Sequence, residues 1–280
     1  MVYRRRRRKV HSYERWFCLF LLDSTLQEWY ILLEVMCMSE LALVNAYQLA
    51  QLLKLPMISI RRYTESGLIP YISCEGGEFS YNPQAIQNYF AQQILRYRLD
   101  YGKYPFSAQD NMTLPETVLR TEILDGLLIK EPASTINHQL VLGNVLAALS
   151  AYFKNADPSG KVFLSPLNVI LSDTVVVQPD IFYLSSSRKE FISTWVLGPP
   201  NLVVEIVDSD SNCMDRIIKN EIYQRFAIPY YWMVDIDARL IEFYTLDQKG
   251  LYHCTGIHSS GTITVPDFPD LALNIEKLWA

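Results

Sequence analysis

The stretch PPNLVVEIVDSDS, residues 199–211, decides the fold of the larger part of this chain. Leu202 to Val207 is apolar at every position but one, the pattern of a strand buried on both faces, and the exception is Glu205 in its middle. A carboxylate among Leu202, Val203, Val204, Ile206 and Val207 is costly unless it is neutralised, hydrogen-bonded or bound to a cation. Upstream, Val175 to Tyr183 reads as another strand and carries Gln178-Pro179-Asp180. Asp180 and Glu205 are thus two carboxylates on separate strands, expected to be neighbours. Oxygen donors of this kind suit Mg²⁺, with Mn²⁺ as a substitute. An ion held there stabilises charge on a scissile phosphate and activates water.

Outward from that strand, Thr121 to Ile129 reads as a hairpin turning at Asp125-Gly126. A helix follows from Asn137 to Phe153, with Leu140, Val141, Asn144, Val145, Ala148, Leu149 and Tyr152 at helical spacing. Val162 to Leu167 is a further strand. After the polar loop Asp208 to Asn212, a helix runs from Met214 to Phe226, and Asp215 and Lys219 share one of its faces. Tyr230 to Asp235 reads as a buried strand, and Leu240 to Thr245 with Leu251 to Gly256 as a hairpin. Plainer roles compete for each polar residue: Asp180 as a turn former, Asp215 as a helix N-terminal charge, Lys219 as a partner of Glu221 or Asp215. Glu205 resists such explanation best.

The N-terminal half is built differently. Asn45 is placed to cap a helix through Ala46, Leu49, Ala50, Leu52 and Leu53, which Leu55-Pro56 ends. A second helix from Ser59 to Ser66 closes at Gly67. Tyr71 to Ser73 and Phe79 to Tyr81 form two strands around a Glu75-Gly76-Gly77-Glu78 turn, and Asn82-Pro83 opens a helix from Gln84 to Phe90. Helix, turn, helix, two-stranded wing, helix is the order of a winged helix-turn-helix. The competing reading is that Arg61 and Arg62 solvate an exposed face and the module serves protein contact.

Half of the residues are hydrophobic and only 20% are charged, enough apolar side chain to bury a core, and the length suggests two unequal units. The formal net charge of −5 excludes coating of nucleic acid by bulk charge; DNA contact requires a local basic surface. The five cysteines have no CxxC pair, which argues against structural zinc and for reduced thiols in the cytoplasm. The basic run Arg4 to Lys9 precedes the apolar Trp16 to Leu22, too short for the roughly 20 residues that span a bilayer and without a small-residue cleavage site, so neither a membrane span nor a signal peptide is expected. Met38 directly precedes the first well-formed domain, so residues 1–37 read as an extension upstream of the true start. The resulting division is 1–37 extension, 38–92 winged helix-turn-helix module, 93–112 linker and 113–280 chemistry-bearing domain.

Two resemblances sharpen these readings. AYQLAQLLKLPMISIRRYTESGLIPY and the hairpin before NPQAIQNYF resemble the excisionase and MerR-like DNA-binding family, which implies Ser59, Arg61, Arg62 and Tyr63 as DNA contacts; its wing is basic where this one is acidic. Pro179-Asp180 followed by Glu205-Ile206-Val207 resembles the PD-(D/E)XK nuclease motif. TEILDGLL, His138 opening a helix, VQPDIFYL, PPNLVVEIVDSDS, DRIIKNEIYQRFAIPYYWMVDID and VPDFPDLALNIEKLW together resemble the restriction-endonuclease-like family called Uma two, over nearly all of residues 113–280. This resemblance implies an α/β (α+β) restriction-endonuclease-like core sheet flanked by helices, Asp180 and Glu205 as metal ligands, and Lys219 as a third catalytic group. The general motif has its lysine two residues after the glutamate, where this chain has Val207, so the following helix supplies it. Glu122 and His138 lie in matching blocks and rank second as site residues. The expected function is a metal-dependent endonuclease acting on DNA, as a homodimer. The alternatives are a DNA-binding regulator on an inactive nuclease fold and a nuclease acting on RNA.

Overall fold

The structure is a computed structural model, and it describes residues 43–280 apart from 54, 56, 75, 100–102, 114–119, 131–132, 209–213 and 266. The N-terminal basic run, the expected start at Met38, Glu75 of the wing and most of the loop after Asp208 lie outside the described residues.

The small module begins with β1 (Val44–Asn45) and α1 (Ala46–Leu53). Asn45 caps α1 reciprocally: its Oδ1 accepts the Gln48 N–H at 2.9 Å while Gln48 Oε1 accepts the Asn45 N–H at 2.9 Å. This satisfies two donors that a helix start would otherwise leave bare. Helix α2 (Met57–Glu65) is followed by Gly67 at φ +72°, a left-handed position that only glycine takes without strain. Strands β2 (Ile72–Ser73) and β3 (Phe79–Tyr81) pair as a hairpin, and β1 adds to β3. Helix α3 (Pro83–Tyr97) runs on past its expected end at Phe90. Leu49, Ile60, Tyr63, Ile69, Tyr81, Ile86 and Phe90 form the core of this module, and Ile217 from the far end of the sequence packs into it.

Several described residues of the expected linker 93–112 are bonded to the body. Leu99 N–H donates to Leu128 O at 2.8 Å, Phe106 N–H to Gly126 O at 2.9 Å, and α4 (Ala108–Thr113) begins where Ala108 N–H meets Asp173 O. Phe106 and Ala108 pack on Ile123, Leu128 and Val176. These last belong to a four-stranded sheet in which β4 (Thr121–Leu124) and β5 (Leu127–Lys130) form the expected hairpin. Its turn has Asp125 at φ 49° and Gly126 at φ 80°, the two positive values that a tight two-residue turn requires.

Helix α5 (Ile136–Ala156) is capped by Thr135, whose hydroxyl accepts the His138 N–H. It leads to β6 (Lys161–Leu164), then to β7 (Val169–Ser172), which the sequence reading missed. The expected single strand Val175 to Tyr183 is two strands, β8 (Val175–Val177) and β9 (Ile181–Leu184), and they belong to different sheets. Pro179 lacks the N–H that an uninterrupted ladder needs, so the chain leaves one sheet and enters the other at Gln178-Pro179-Asp180. Strand β10 (Leu202–Val207) is followed by a helical segment, π-helical over Met214–Lys219 and α-helical over Asn220–Arg225 (α6). This segment is the crossover that lets β11 (Tyr230–Asp235) lie parallel to β10. Strands β12 (Leu240–Leu246) and β13 (Tyr252–His258) extend the sheet antiparallel, and β14 (Thr262–Thr264) pairs with β15 (Ala272–Asn274) beyond it. The mixed main sheet has the order β13-β12-β11-β10-β9-β6.

Alternation along the strands gives this sheet two unlike faces. Leu202, Val204 and Ile206 of β10, Trp232 and Val234 of β11, and Ile241 and Phe243 of β12 pack against Val141, Val145, Leu149 and Phe153 of α5. The opposite face carries the intervening residues, among them Glu205, Asp235 and Glu242, all buried. The 214–225 helix covers that face.

Candidate active site

Glu205 pairs in register with Met233 of β11, which pairs with Glu242 of β12, so both acids stand on one rung of the sheet. They are two strands apart, roughly 10 Å at the usual strand spacing. Asp180 lies one residue before Ile181, whose partner is Val204, and so continues the rung on the other side of Glu205. The Asp180 N–H donates to Glu205 Oε2 at 3.2 Å, and the Ile206 N–H donates to Asp180 Oδ2 at 2.8 Å. The two expected metal-binding acids are therefore neighbours on the same face.

Lys219 is only 1% exposed, and its ammonium lies 3.1 Å from Glu122 Oε2, 3.3 Å from Glu205 Oε1 and 3.3 Å from Asp215 Oδ1. Asp215 and Lys219 share a helix face, as their spacing predicts, and Tyr223 one turn on donates its hydroxyl to Glu205 Oε1 at 2.6 Å. Glu122, on β4, also accepts the Gln178 N–H through Oε1 at 2.6 Å. The four-stranded sheet thereby contributes one acid, and the break at Pro179 brings that sheet and the main sheet to the same place.

Asp180 is held by a second set of partners. Arg120 Nη1 lies 3.0 Å from Oδ1 and His138 Nε2 lies 3.2 Å from Oδ2. Burial alone would raise the Asp180 carboxyl; the His138 hydrogen bond, the charges of Arg120 and His138, and the Ile206 N–H outweigh it and hold it below the usual carboxylate range. Burial of His138 works against its charged form, but the Asp180 hydrogen bond and charge, with Asp208 nearby, raise its pKa above the ordinary value. Its backbone N–H is meanwhile the capped one, so His138 is both a capping position and a site side chain.

All five sequence-expected site residues, Asp180, Glu205, Lys219, Glu122 and His138, meet here. Arg120 and Tyr223 were not expected. Tyr223 had a legible signal, since it stands four residues after Lys219; Arg120, at a strand edge with no periodic pattern, had none.

Among the described residues no three or more His, Cys, Asp or Glu side chains are disposed as a ready metal site. The point on which Glu122, Glu205 and Asp215 converge holds the Lys219 ammonium. The donor chemistry nevertheless fits a hard divalent cation: of four buried acids, Glu122, Glu205 and Asp215 meet Lys219, and Asp180, tied to Glu205 through its N–H, meets Arg120 and His138. Carboxylate oxygens gathered in a buried place are the donors such a cation takes.

Three of the four expected DNA contacts make contacts within the protein. Ser59 and Tyr63 are buried, and Arg62 is drawn into an ion pair with Glu242 at 2.9 Å. Ser59 Oγ is hydrogen-bonded to Tyr244 OH at 2.9 Å. Arg61 alone of the four is exposed.

A mixed sheet flanked by helices, with acids gathered where a second sheet abuts it, defines the chain first as a protein of α+β nuclease-like fold. A crystal structure described as a putative nuclease belonging to DUF820, from Anabaena variabilis, is similar with a TM-score of 0.54 at 21% identity, over 62% of this chain and 98% of that one. No curated protein matches the chain. Residues 108–276 match the family Uma2, described as "Putative restriction endonuclease", and the chain belongs to that family.

Proposed function

We propose that the chain is a metal-dependent endonuclease that hydrolyses phosphodiester bonds in DNA, with Asp180 and Glu205 as the residues that would hold Mg²⁺ or, as a substitute, Mn²⁺. The observation that supports this most is the convergence of Glu122, Glu205 and Asp215 on Lys219, with Asp180 tied to Glu205 through its backbone N–H. When bound, a divalent ion there supplies neutralising charge for the phosphate and lowers the pKa of water. The protein's own groups do the rest. Arg120, His138 and the Ile206 N–H fix the plane of the Asp180 carboxylate, while Tyr223 and Lys219 fix that of Glu205. Lys219, buried beside Glu205, would stabilise negative charge that develops on the phosphate. Assembly of two copies for cutting both strands, a cytoplasmic location, and a DNA-targeting role for Arg61 in the small module belong to the same reading.

Glu205→Gln keeps the shape of the side chain and removes its charge. It is expected to abolish Mg²⁺- or Mn²⁺-dependent cleavage while circular dichroism and the unfolding midpoint show an intact fold. Plasmid, linear DNA and RNA serve as substrates in parallel. Undiminished cleavage by the variant would count against the site, cleavage of RNA alone would move the substrate class, and metal binding without cleavage of any of the three would favour a DNA-binding regulator.

A further inference from the structure

The face of the main sheet that carries Glu205 carries a second buried ionic cluster, and its members come from both the small module and the body. Arg216 is 2% exposed and is ion-paired to both Asp235 and Glu242. Glu242, fully buried, is shared with Arg62 of α2 and also accepts the Tyr244 hydroxyl at 2.7 Å. Burial by itself would raise the Glu242 carboxyl; the two arginines and Tyr244 hold it below its ordinary value. The Tyr63 ring of α2 lies 5.4 Å from the Arg216 guanidinium, and Ser59 of α2 bonds Tyr244. Unlike the cluster around Lys219, this one pairs two acids with two arginines.

Arg216 and Lys219 lie three residues apart on the same helical segment and reach two acids of the same rung, Glu242 and Glu205. Ile217, between them, is buried in the core of the small module. Tyr231 adds a tie from the sheet, donating its hydroxyl to the Asp215 carbonyl at 2.9 Å. We propose that α2, the helix whose pattern resembles a DNA-recognition helix, is the clamp that sets the position of Lys219, with Arg62 and Arg216 as positioning residues that act through their shared partner Glu242. In this arrangement the small module is a part of the catalytic machinery's support, and displacement of α2 would loosen the 214–225 helix and carry Lys219 away from Glu122 and Glu205.

The effect on catalysis rests on the nuclease reading above; the effect on the helix does not. The test compares the full-length wild type with Arg62→Ala, Arg62→Lys, Ser59→Ala and Arg61→Ala. Hydrogen exchange of the amides in 214–225 is measured without substrate, and kcat and KM for DNA cleavage in Mn²⁺ are measured separately. The clamp predicts that Arg62→Ala speeds exchange across 214–225 by about tenfold or more, since one charge-assisted contact to a buried acid is lost. It also predicts that kcat falls with KM little changed, that Arg62→Lys recovers part of both, and that exposed Arg61→Ala leaves exchange as in the wild type. Ser59→Ala, which removes one neutral hydrogen bond, should show the same exchange pattern more weakly and covers the case in which Arg62→Ala does not fold. Unchanged exchange in both Arg62→Ala and Ser59→Ala overturns the proposal, as does a rise in KM shared equally by Arg61→Ala and Arg62→Ala with exchange unaltered. A wild type that cuts no nucleic acid, while Arg62→Ala still loosens 214–225, sustains the clamp and removes only the nuclease reading.

Discussion

Two glutamates on one rung show how identical local chemistry is put to different use. Glu205 and Glu242 each interrupt an apolar strand and each are buried, yet Glu242 is met by Arg62 and Arg216 while Glu205 shares Lys219 with Glu122 and Asp215. The surroundings, and not the burial, separate the structural acid from the candidate catalytic one. Tyr223 belongs to the second environment. Tyr223→Phe removes a hydrogen bond to a buried carboxylate and is expected to lower stability by about 2 kcal/mol, read as a lower denaturant midpoint, and to weaken cleavage without abolishing it. Away from both clusters, Asp157 accepts hydrogen bonds from the Tyr183 hydroxyl at 2.6 Å, the Ser186 N–H at 2.8 Å and the Gly160 N–H at 3.1 Å. These, led by Tyr183, lower its pKa to about 2. A carboxylate depressed in the folded state contributes stability at pH values above its ordinary range and loses that contribution as the pH falls toward the folded value. The stability gap between wild type and Asp157→Asn should therefore be constant near neutral pH and close between about pH 4 and pH 2. Urea melts at a series of pH values check this, and a gap independent of pH throughout would refute it.

At the scale of elements, the site is made by a broken strand and a crossover. Had Val175 to Tyr183 been one strand, Asp180 would sit within a ladder of a single sheet; the break at Pro179 places it at the seam of two sheets, beside Glu122 of one and Glu205 of the other. The parallel pairing of β10 and β11 obliges the chain to cross the sheet, and the crossing segment is the one that carries Asp215, Lys219 and Tyr223. The β4–β5 turn has its own exacting position. Gly126 lies at φ +80°, and a Cβ added there would stand 2.6 Å from Pro105 Cβ. Gly126→Ala is expected to cost about 2 kcal/mol or more from backbone strain and this clash together. A thermal midpoint within experimental error of wild type would show that the turn adapts.

For the described molecule as a whole, the small module and the body share side chains too intimately to behave as beads on a string. Ile217 sits in the module's core, Arg62 and Arg216 share Glu242, and Leu99, Phe106 and Ala108 are hydrogen-bonded to the strands and turns of the four-stranded sheet. Separating the two would leave a buried acid without one of its bases, which costs several kcal/mol. Residues 43–280 are accordingly expected to unfold in one cooperative calorimetric transition, with calorimetric and van 't Hoff enthalpies that agree. Two resolved transitions, the lower assignable to 43–97, would contradict this coupling. Among the described residues no helix is long and apolar enough to cross a membrane.

By itself the sequence determined most of the elements and pointed to a buried acid as the centre of a candidate site. The Asp125-Gly126 turn, the Asn45 cap and the lone acid in LVVEIV are local signals, and each is realised where the pattern puts it, whereas the run Val175 to Tyr183 is not one strand. Glu205 stands out as an acid in an apolar strand, while Glu122, His138 and the role of Lys219 came from the family resemblance. Only the tertiary structure decided that Val175 to Tyr183 divides between two sheets, that Arg120 and Tyr223 join the site, and that Ser59, Arg62 and Tyr63 turn inward. Those outcomes depend on which surfaces meet across long stretches of chain: an arginine on a helix looks the same in sequence whether it faces water, a phosphate or a glutamate buried some 180 residues further on, and contact between distant segments settles the matter.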